Sequence, residues 1–151
     1  MIDAQAEIES GWSMIGKSKS QGDSKVHKSQ LAGFIIDCQT DDLDQAAAFW
    51  SAALGLKEKA DPESDESLYC LLETQPEELH IEVQKVNHAS RVHLDIETDN
   101  IEAEVARLEG LGAKYISEIN SWVVMEAPTG QRFCVVNPQR AKFDQTANSW
   151  D

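Results

Sequence analysis

Arg91-Val92-His93-Leu94-Asp95-Ile96-Glu97-Thr98-Asp99 alternates strictly between apolar and polar side chains. A period of two is the mark of a β-strand: Val92, Leu94 and Ile96 take one face, His93, Asp95 and Glu97 the other. Three metal-capable polar groups on one strand face suit a wet cavity better than open solvent. Thr98 and Asp99 then open a helix, over residues 100–110, whose Ile101, Val105 and Leu108 recur at helical spacing. Gly112 closes it.

The stretch has an earlier counterpart. With an offset of 58, Ile35-Ile36-Asp37-Cys38-Gln39-Thr40-Asp41-Asp42-Leu43 lies against His93-Leu94-Asp95-Ile96-Glu97-Thr98-Asp99-Asn100-Ile101. One residue drops out within the helices, and Leu54-Gly55-Leu56-Lys57 then lies against Leu111-Gly112-Ala113-Lys114. Pro76 pairs with Pro128, which sets Glu82 against Cys134. Each half reads strand, helix, strand, strand, strand. The first half has a strand at 34–38 and a helix after the acidic start Asp41-Asp42-Leu43-Asp44, ended by Gly55. Strands follow at 56–60, 68–72 and 79–86. Ala46, Ala47, Phe49, Trp50, Ala53 and Leu54 form that helix's apolar face. The second half continues with strands at 113–118, 122–125 and 132–136. Trp122 and Met125 have opposite parity, so only one of them faces the polar side of the sheet.

The expected architecture is α+β, two βαβββ modules over 31–86 and 91–138. Residues 1–30 read as a flexible extension: 17–24 has no apolar period, and 3–15 has the spacing of a short helix bearing Trp12. Residues 139–151 form a mostly polar tail with Phe143 and Trp150 as candidate anchors.

The net charge is −14, and all of the excess lies after residue 30, where nine Lys/Arg face twenty-three Asp/Glu. Such a surface repels phosphate backbones and anionic lipid, which argues against nucleic-acid and membrane partners. No apolar run approaches the ~20 residues needed to span a bilayer. The N-terminus lacks a basic segment followed by an apolar one, so the expected location is cytoplasmic. Cys38, Cys70 and Cys134 are widely spaced and odd in number, which fits reduced, buried thiols rather than a disulfide framework.

Four segments carry a resemblance: Asp42-Leu43-Asp44-Gln45-Ala46-Ala47-Ala48-Phe49-Trp50 with Ala53-Leu54-Gly55; Arg91-Val92-His93-Leu94-Asp95; Arg107-Leu108 with Leu111-Gly112-Ala113; and Pro128-Thr129-Gly130-Gln131-Arg132-Phe133-Cys134. From about Leu31 to Pro138 the chain resembles the vicinal oxygen chelate superfamily, in its glyoxalase-like branch. The resemblance implies two modules whose sheet curves around a funnel. In metal-using members the ligands come from the first and last strands of each module. Carried over by position, those places are Ile35, Glu82, His93 and Cys134, or Gln84 in place of Glu82 if that strand shifts by two. Asp37 and Asp95, two residues further along, share the same faces.

Ile35 cannot ligate a metal, and Cys134 is a soft ligand that favours zinc over a harder ion. A divalent metal is therefore an open cofactor question, with His93 and Glu82 as candidate ligands. The same two residues are candidate acid–base groups, since an imidazole titrates near neutrality. Ile35, Asp37, Gln84, Asp95, Trp122 and Cys134 complete the expected pocket. Arg132 is the only local cation that can activate Cys134. Glu97, near the strand's end, is expected at the surface. The implied function is binding of a small molecule in the funnel, as a lyase, isomerase or dioxygenase-type enzyme, or as a metal-free sequestering protein of the drug-resistance type. The resemblance also implies a homodimer.

Overall fold

A computed structural model describes residues 26–59 and 68–151. The expected helix over 3–15, the linker over 17–24 and the turn over 61–65 lie outside the described residues.

Strand β1 (His27–Gln39) is the axis of the fold. On one side it pairs in parallel with β3 (His80–Val86), and β2 (Tyr69–Leu72) lies antiparallel beyond it. On the other side it pairs antiparallel with β4 (Arg91–Thr98). Beyond β4 come β7 (Arg132–Val136), β6 (Trp122–Glu126) and β5 (Lys114–Ile119). The result is one open, curved, mixed sheet in the order β2-β3-β1-β4-β7-β6-β5. Helix α1 (Leu43–Leu54) connects β1 to the next part of its module, and α2 (Ile101–Gly110) does the same after β4. The second half is a full βαβββ module. In the first, the strand expected over 56–60 is present among the described residues only as a bridge between Glu58 and Leu72.

Both helices start on side-chain caps. Asp42 accepts the amide of Gln45, and Asn100 accepts that of Ala103. Gly55 ends α1 at φ 68°, a left-handed conformation that glycine adopts without strain. Helix α2 covers Met125, Val123 and Val135 with Leu108, Val105 and Ile101. Helix α1 buries only Ala47 among the described residues; Phe49 and Leu54 of its expected apolar face stand exposed. The opposite face of the sheet carries Ala32, Val124, Cys134 and Val136, with Trp122 packed against them. Trp122 and Met125 thus lie on opposite sides, as their parity requires.

Strand β4 inverts the usual arrangement. Its polar residues His93, Asp95 and Glu97 are buried, while Val92 and Leu94 are 59% and 43% exposed. Glu97 is not at the surface: it is fully buried, accepting from Gln30 Nε2 and from the backbone amides of Gln139 and Arg140. A short carboxylate inside the sheet thereby fixes the start of the C-terminal segment.

That segment and residues 27–30 belong to the folded body. β8 (Asn148–Trp150) pairs with the first residues of β1, and Phe143, in the short helix α3 (Phe143–Thr146), is buried. Glu104, fully buried in α2, ties that helix to the start of β1. It accepts from His27 Nε2 at 2.7 Å, Ser29 Oγ at 2.9 Å and two Arg107 nitrogens at 2.9 and 2.7 Å. Trp150 donates to Ser29 Oγ at 2.7 Å, and the Arg107 guanidinium lies 3.9 Å over its ring. This stacked cation is worth ~0.5–2 kcal/mol.

Candidate functional site

Strand register builds the site. Ile35 pairs with Glu82 on one side and with His93 on the other, so Glu82, Ile35 and His93 form one row across three strands. Strands lie ~4.8 Å apart, so the backbones of Glu82 and His93 stand roughly 10 Å apart with Ile35 between them. On one side of this row Asp37 pairs with Gln84 and Arg91; on the other side Asp95 pairs with Gly33 and, beyond β4, with Cys134. Over these rows lies a cavity of about 340 Å³, lined by Ile35, Tyr69, Glu82, Gln84, His93, Asp95, Trp122, Cys134, Val136 and Gln139. Seven of the eight residues singled out from sequence line this funnel. The eighth, Asp37, sits behind it, holding His93.

The pairing corrects one correspondence. Asp95 is the counterpart of Asp37, and each pairs across a parallel ladder with its module's last strand. Asp37 meets Gln84 and Asp95 meets Cys134, so the counterpart of Cys134 is Gln84 and not Glu82. The two-residue shift is the register this structure adopts.

His93 is 3% exposed. Its Nδ1 lies 2.8 Å from Asp37 Oδ2, and its Nε2 lies 3.5 Å from Asp95 Oδ1. Arg91 Nε approaches the same Asp37 oxygen at 3.5 Å. Burial alone would lower the imidazole's pKa, but hydrogen bonding to Asp37, with Asp95 and Cys134 adding to it, outweighs that and pushes it up to about 11. At neutral pH His93 is an imidazolium and not a general base. This revises its role as an acid–base candidate.

Glu82 faces the funnel with a quarter of its side chain exposed, and its Oε1 lies 3.0 Å from His80 Nε2. Burial works against the His80 cation, yet the hydrogen bond and charge of Glu82 leave its pKa raised. His80 lines a different space: an outer cavity of about 1000 Å³, with Lys57, Lys59 and Arg140 among its walls. The larger cavity holds none of the buried polar cluster; its importance is that His80 links it to Glu82. Gln139 borders both spaces.

Burial raises the pKa of the Cys134 thiol, and the opposing pull of His93 does not reverse this. Arg132, on the same strand, is 3.0 Å from Glu126 and is not among the funnel's walls. It therefore does not activate the thiol, and Cys134 stands as a neutral, buried group. Cys38 and Cys70 are only half-buried. Tyr69, not among the residues singled out from sequence, accepts a hydrogen bond from Gln84 Nε2 at 3.0 Å. Burial, then the charge of Glu82, pushes its pKa up to about 12. What brings Tyr69 to the funnel wall is its pairing with Gln84 across β2 and β3, a ladder register that the strand's own pattern does not carry.

Three buried acceptor atoms have no hydrogen-bond partner among the described residues: Asp37 Oδ1, Asp95 Oδ1 and Gln84 Oε1. The 3.5 Å approach of His93 to Asp95 is an electrostatic contact without hydrogen-bond alignment. Each such acceptor costs ~1–3 kcal/mol. Orphaned acceptors lining a cavity are places where a ligand recovers free energy.

The sequence model of the family described as glyoxalase-like domain matches residues 33–136. The chain belongs to this glyoxalase-like domain family. With it comes membership of the vicinal oxygen chelate superfamily. Solved structures agree on the fold. The methylmalonyl-CoA epimerase from Mycobacterium tuberculosis superposes with a TM-score of 0.52 at 16% identity, over 72% of this chain and 87% of that one. The Mn(II)-bound glyoxalase from Novosphingobium aromaticivorans gives 0.52 at 16%, over 78% of this chain and 44% of that one. A methylmalonyl-CoA epimerase in complex with methylmalonyl-CoA and NH4+ gives 0.50 at 13%, over 75% and 98%. No curated protein sequence matches the chain. Among the described residues no helix of this glyoxalase-like chain is long and apolar enough to cross a membrane.

The superfamily's metal finds a changed set of donors here. By strand pairing the four places are Ile35, Gln84, His93 and Cys134, and a hard divalent ion lacks the carboxylates it needs there. The donors that do converge are His93, Asp95 and Cys134, with one atom from each inside 4.8 Å of the others. That set fits a soft ion such as zinc. Asp37 on Nδ1 is placed as the carboxylate that orients a metal-binding imidazole.

Proposed function

We propose that this chain binds a compact organic molecule over Ile35 and acts on it by proton transfer, in the manner of a lyase or isomerase. Glu82 is the proton acceptor. His93, held as a cation by Asp37, stabilises negative charge that develops on the molecule. His80 passes the proton from Glu82 to the outer cavity. The observation that carries this reading is the 3.0 Å contact of Glu82 with His80, which joins the funnel to a second, open space. A base facing a pocket needs a route by which its proton leaves. A proton transfer of this kind contributes typically ~10²–10⁴-fold to rate.

Deuterium exchange tests the proposal. Carbonyl compounds bearing an acidic C–H are incubated with the protein in D2O and followed by proton NMR. The wild type is expected to exchange the C–H of at least one of them, and Glu82→Gln to slow that exchange at least ~100-fold. Unchanged exchange in Glu82→Gln contradicts the role of Glu82. Binding without exchange makes the chain a sequestering protein.

The convergence of His93, Asp95 and Cys134 supports a second reading. There a zinc ion held by these three residues supplies a Lewis acid for a ligand oxygen. Metal analysis of wild type and Cys134→Ser separates the two readings: stoichiometric zinc lost in the variant favours the second.

A further inference from the structure

On the side away from the funnel, the sheet carries an apolar groove that no described residue covers. Its floor is the outer face of the two central strands. Phe34 pairs there with Leu94 and Ile36 with Val92, and Leu94 and Val92 are 43% and 59% exposed although β4 lies in the middle of the sheet. Its wall is α1. A side-chain hydrogen bond joins Trp50 to Cys38, which shares the parity of Phe34 and Ile36, so the Trp50 side of α1 looks onto this floor. Ala46, Phe49 and Ala53 continue that side at helical spacing. Phe49 is 62% exposed, its ring set edge-on against Trp50. From Gln45 to Leu56 no side chain is charged. A helix without a charged face is ordinarily buried, yet α1 buries only Ala47.

The second half shows what fills such a place. Counted from their caps, Asp42 and Asn100, Ala46 and Phe49 of α1 stand where Glu104 and Arg107 stand in α2. Those two are covered by other parts of the chain: His27 and Ser29 of β1 bond to Glu104, and Trp150 of β8 stacks on Arg107. We infer that the bare groove beside α1 is filled by this chain's own residues 3–15. In the sequence Ile8, Trp12 and Ile15 recur there at helical spacing, with Asp3, Glu7 and Glu9 off that stripe. A helix of that length measures ~20 Å, against ~18 Å for α1. The groove is two strands wide, ~10 Å, which suits one helix and falls far short of the ~800 Å² per partner of a standard dimer. A second copy would also bring a charge of −14 against one of −14. The segment reaches the groove from Val26, where it joins the described chain. Phe34 lies ~26 Å of strand further along, and residues 16–25 span up to ~33 Å when extended. The tether supplies the local concentration that so small a contact needs.

Hydrogen exchange of the full chain, read by mass spectrometry with sedimentation velocity beside it, tests this. The amides of residues 3–15 are expected to exchange roughly tenfold or more slowly than in a free peptide of residues 1–16. Val92→Glu on the groove floor and Trp12→Ser in the segment should each return them to the peptide's rate. Phe49→Ser, on the groove wall, carries the same prediction and stands in if Val92→Glu does not fold. Exchange at the peptide's rate in the wild type overturns the inference. Protection that survives the groove variants also overturns it, because the segment then docks elsewhere. A wild-type dimer that Val92→Glu dissociates overturns it as well, and gives the groove to a second copy.

Discussion

Ile35 and His93 face each other across the two central strands, and each is also the other's counterpart in the duplicated sequence. The pseudo-twofold axis relating the modules therefore passes between them. Duplication alone would place the same chemistry on both sides of that axis. The chain has instead kept an apolar floor on one side and a buried imidazolium on the other. The asymmetry gives the funnel a polar end and an apolar end.

His93 makes stability depend on pH in a definite direction. Its folded pKa of about 11 lies above the ordinary value of 6.5. A raised cationic group stabilises fully below the unfolded value, and that contribution is lost as pH rises through the folded one. Urea unfolding should show stability falling between pH 6.5 and the upper limit of folding, at up to ~1.4 kcal/mol per pH unit from this group. His93→Gln should flatten that slope. A stability that rises from pH 7 to 9 in the wild type would contradict the assignment.

Glu104 sets the opposite dependence at low pH. Burial opposes its charge, but Arg107, His27 and Ser29 together hold its pKa below the usual carboxylate value. Its contribution is present above about pH 4.5 and is lost as pH falls through the lowered folded value. Glu104→Ala leaves the Arg107 charge without its partner and unties the start of β1 from α2. The expected cost is ~3–5 kcal/mol by denaturant titration, the range for breaking a buried pair.

Gly33 is required by the approach of β3 to β1. A Cβ there would stand 1.9 Å from the carbonyl oxygen of His80, which cannot yield without moving β3. Gly33→Ala should destabilise by ~1–3 kcal/mol or more. It should also disturb His80 and Glu82, so a loss of ligand binding beyond the loss of stability is the expected signature. A fully stable Gly33→Ala variant would mean that the two strands are less tightly set.

Much of this was legible in the sequence because its periods are physical. Alternation in β4 put His93 and Asp95 on one face, and the offset of 58 placed Ile35 opposite His93. Parity also separated Trp122 from Met125. What stayed hidden depends on partners far along the chain. Glu97 looked like a surface residue because its partners, the amides of Gln139 and Arg140, sit more than forty positions away. The exchange of Glu82 for Gln84 as the counterpart of Cys134 follows from ladder register, which single-strand patterns leave free by two. The His93–Asp37 contact joins two strands, and with Asp95 and Cys134 it turns a candidate base into a cation.

The protonation state of His93 tests the account most directly, because the proposal makes Glu82 the proton acceptor only if His93 is not one. Nitrogen NMR of the 15N-histidine-labelled protein at pH 8, with His93 assigned from His93→Gln, reads it directly. The account predicts shifts of a fully protonated ring that do not titrate between pH 6 and 9. A neutral tautomer at pH 8, or a midpoint near 6.5, would contradict it and return the role of base to His93.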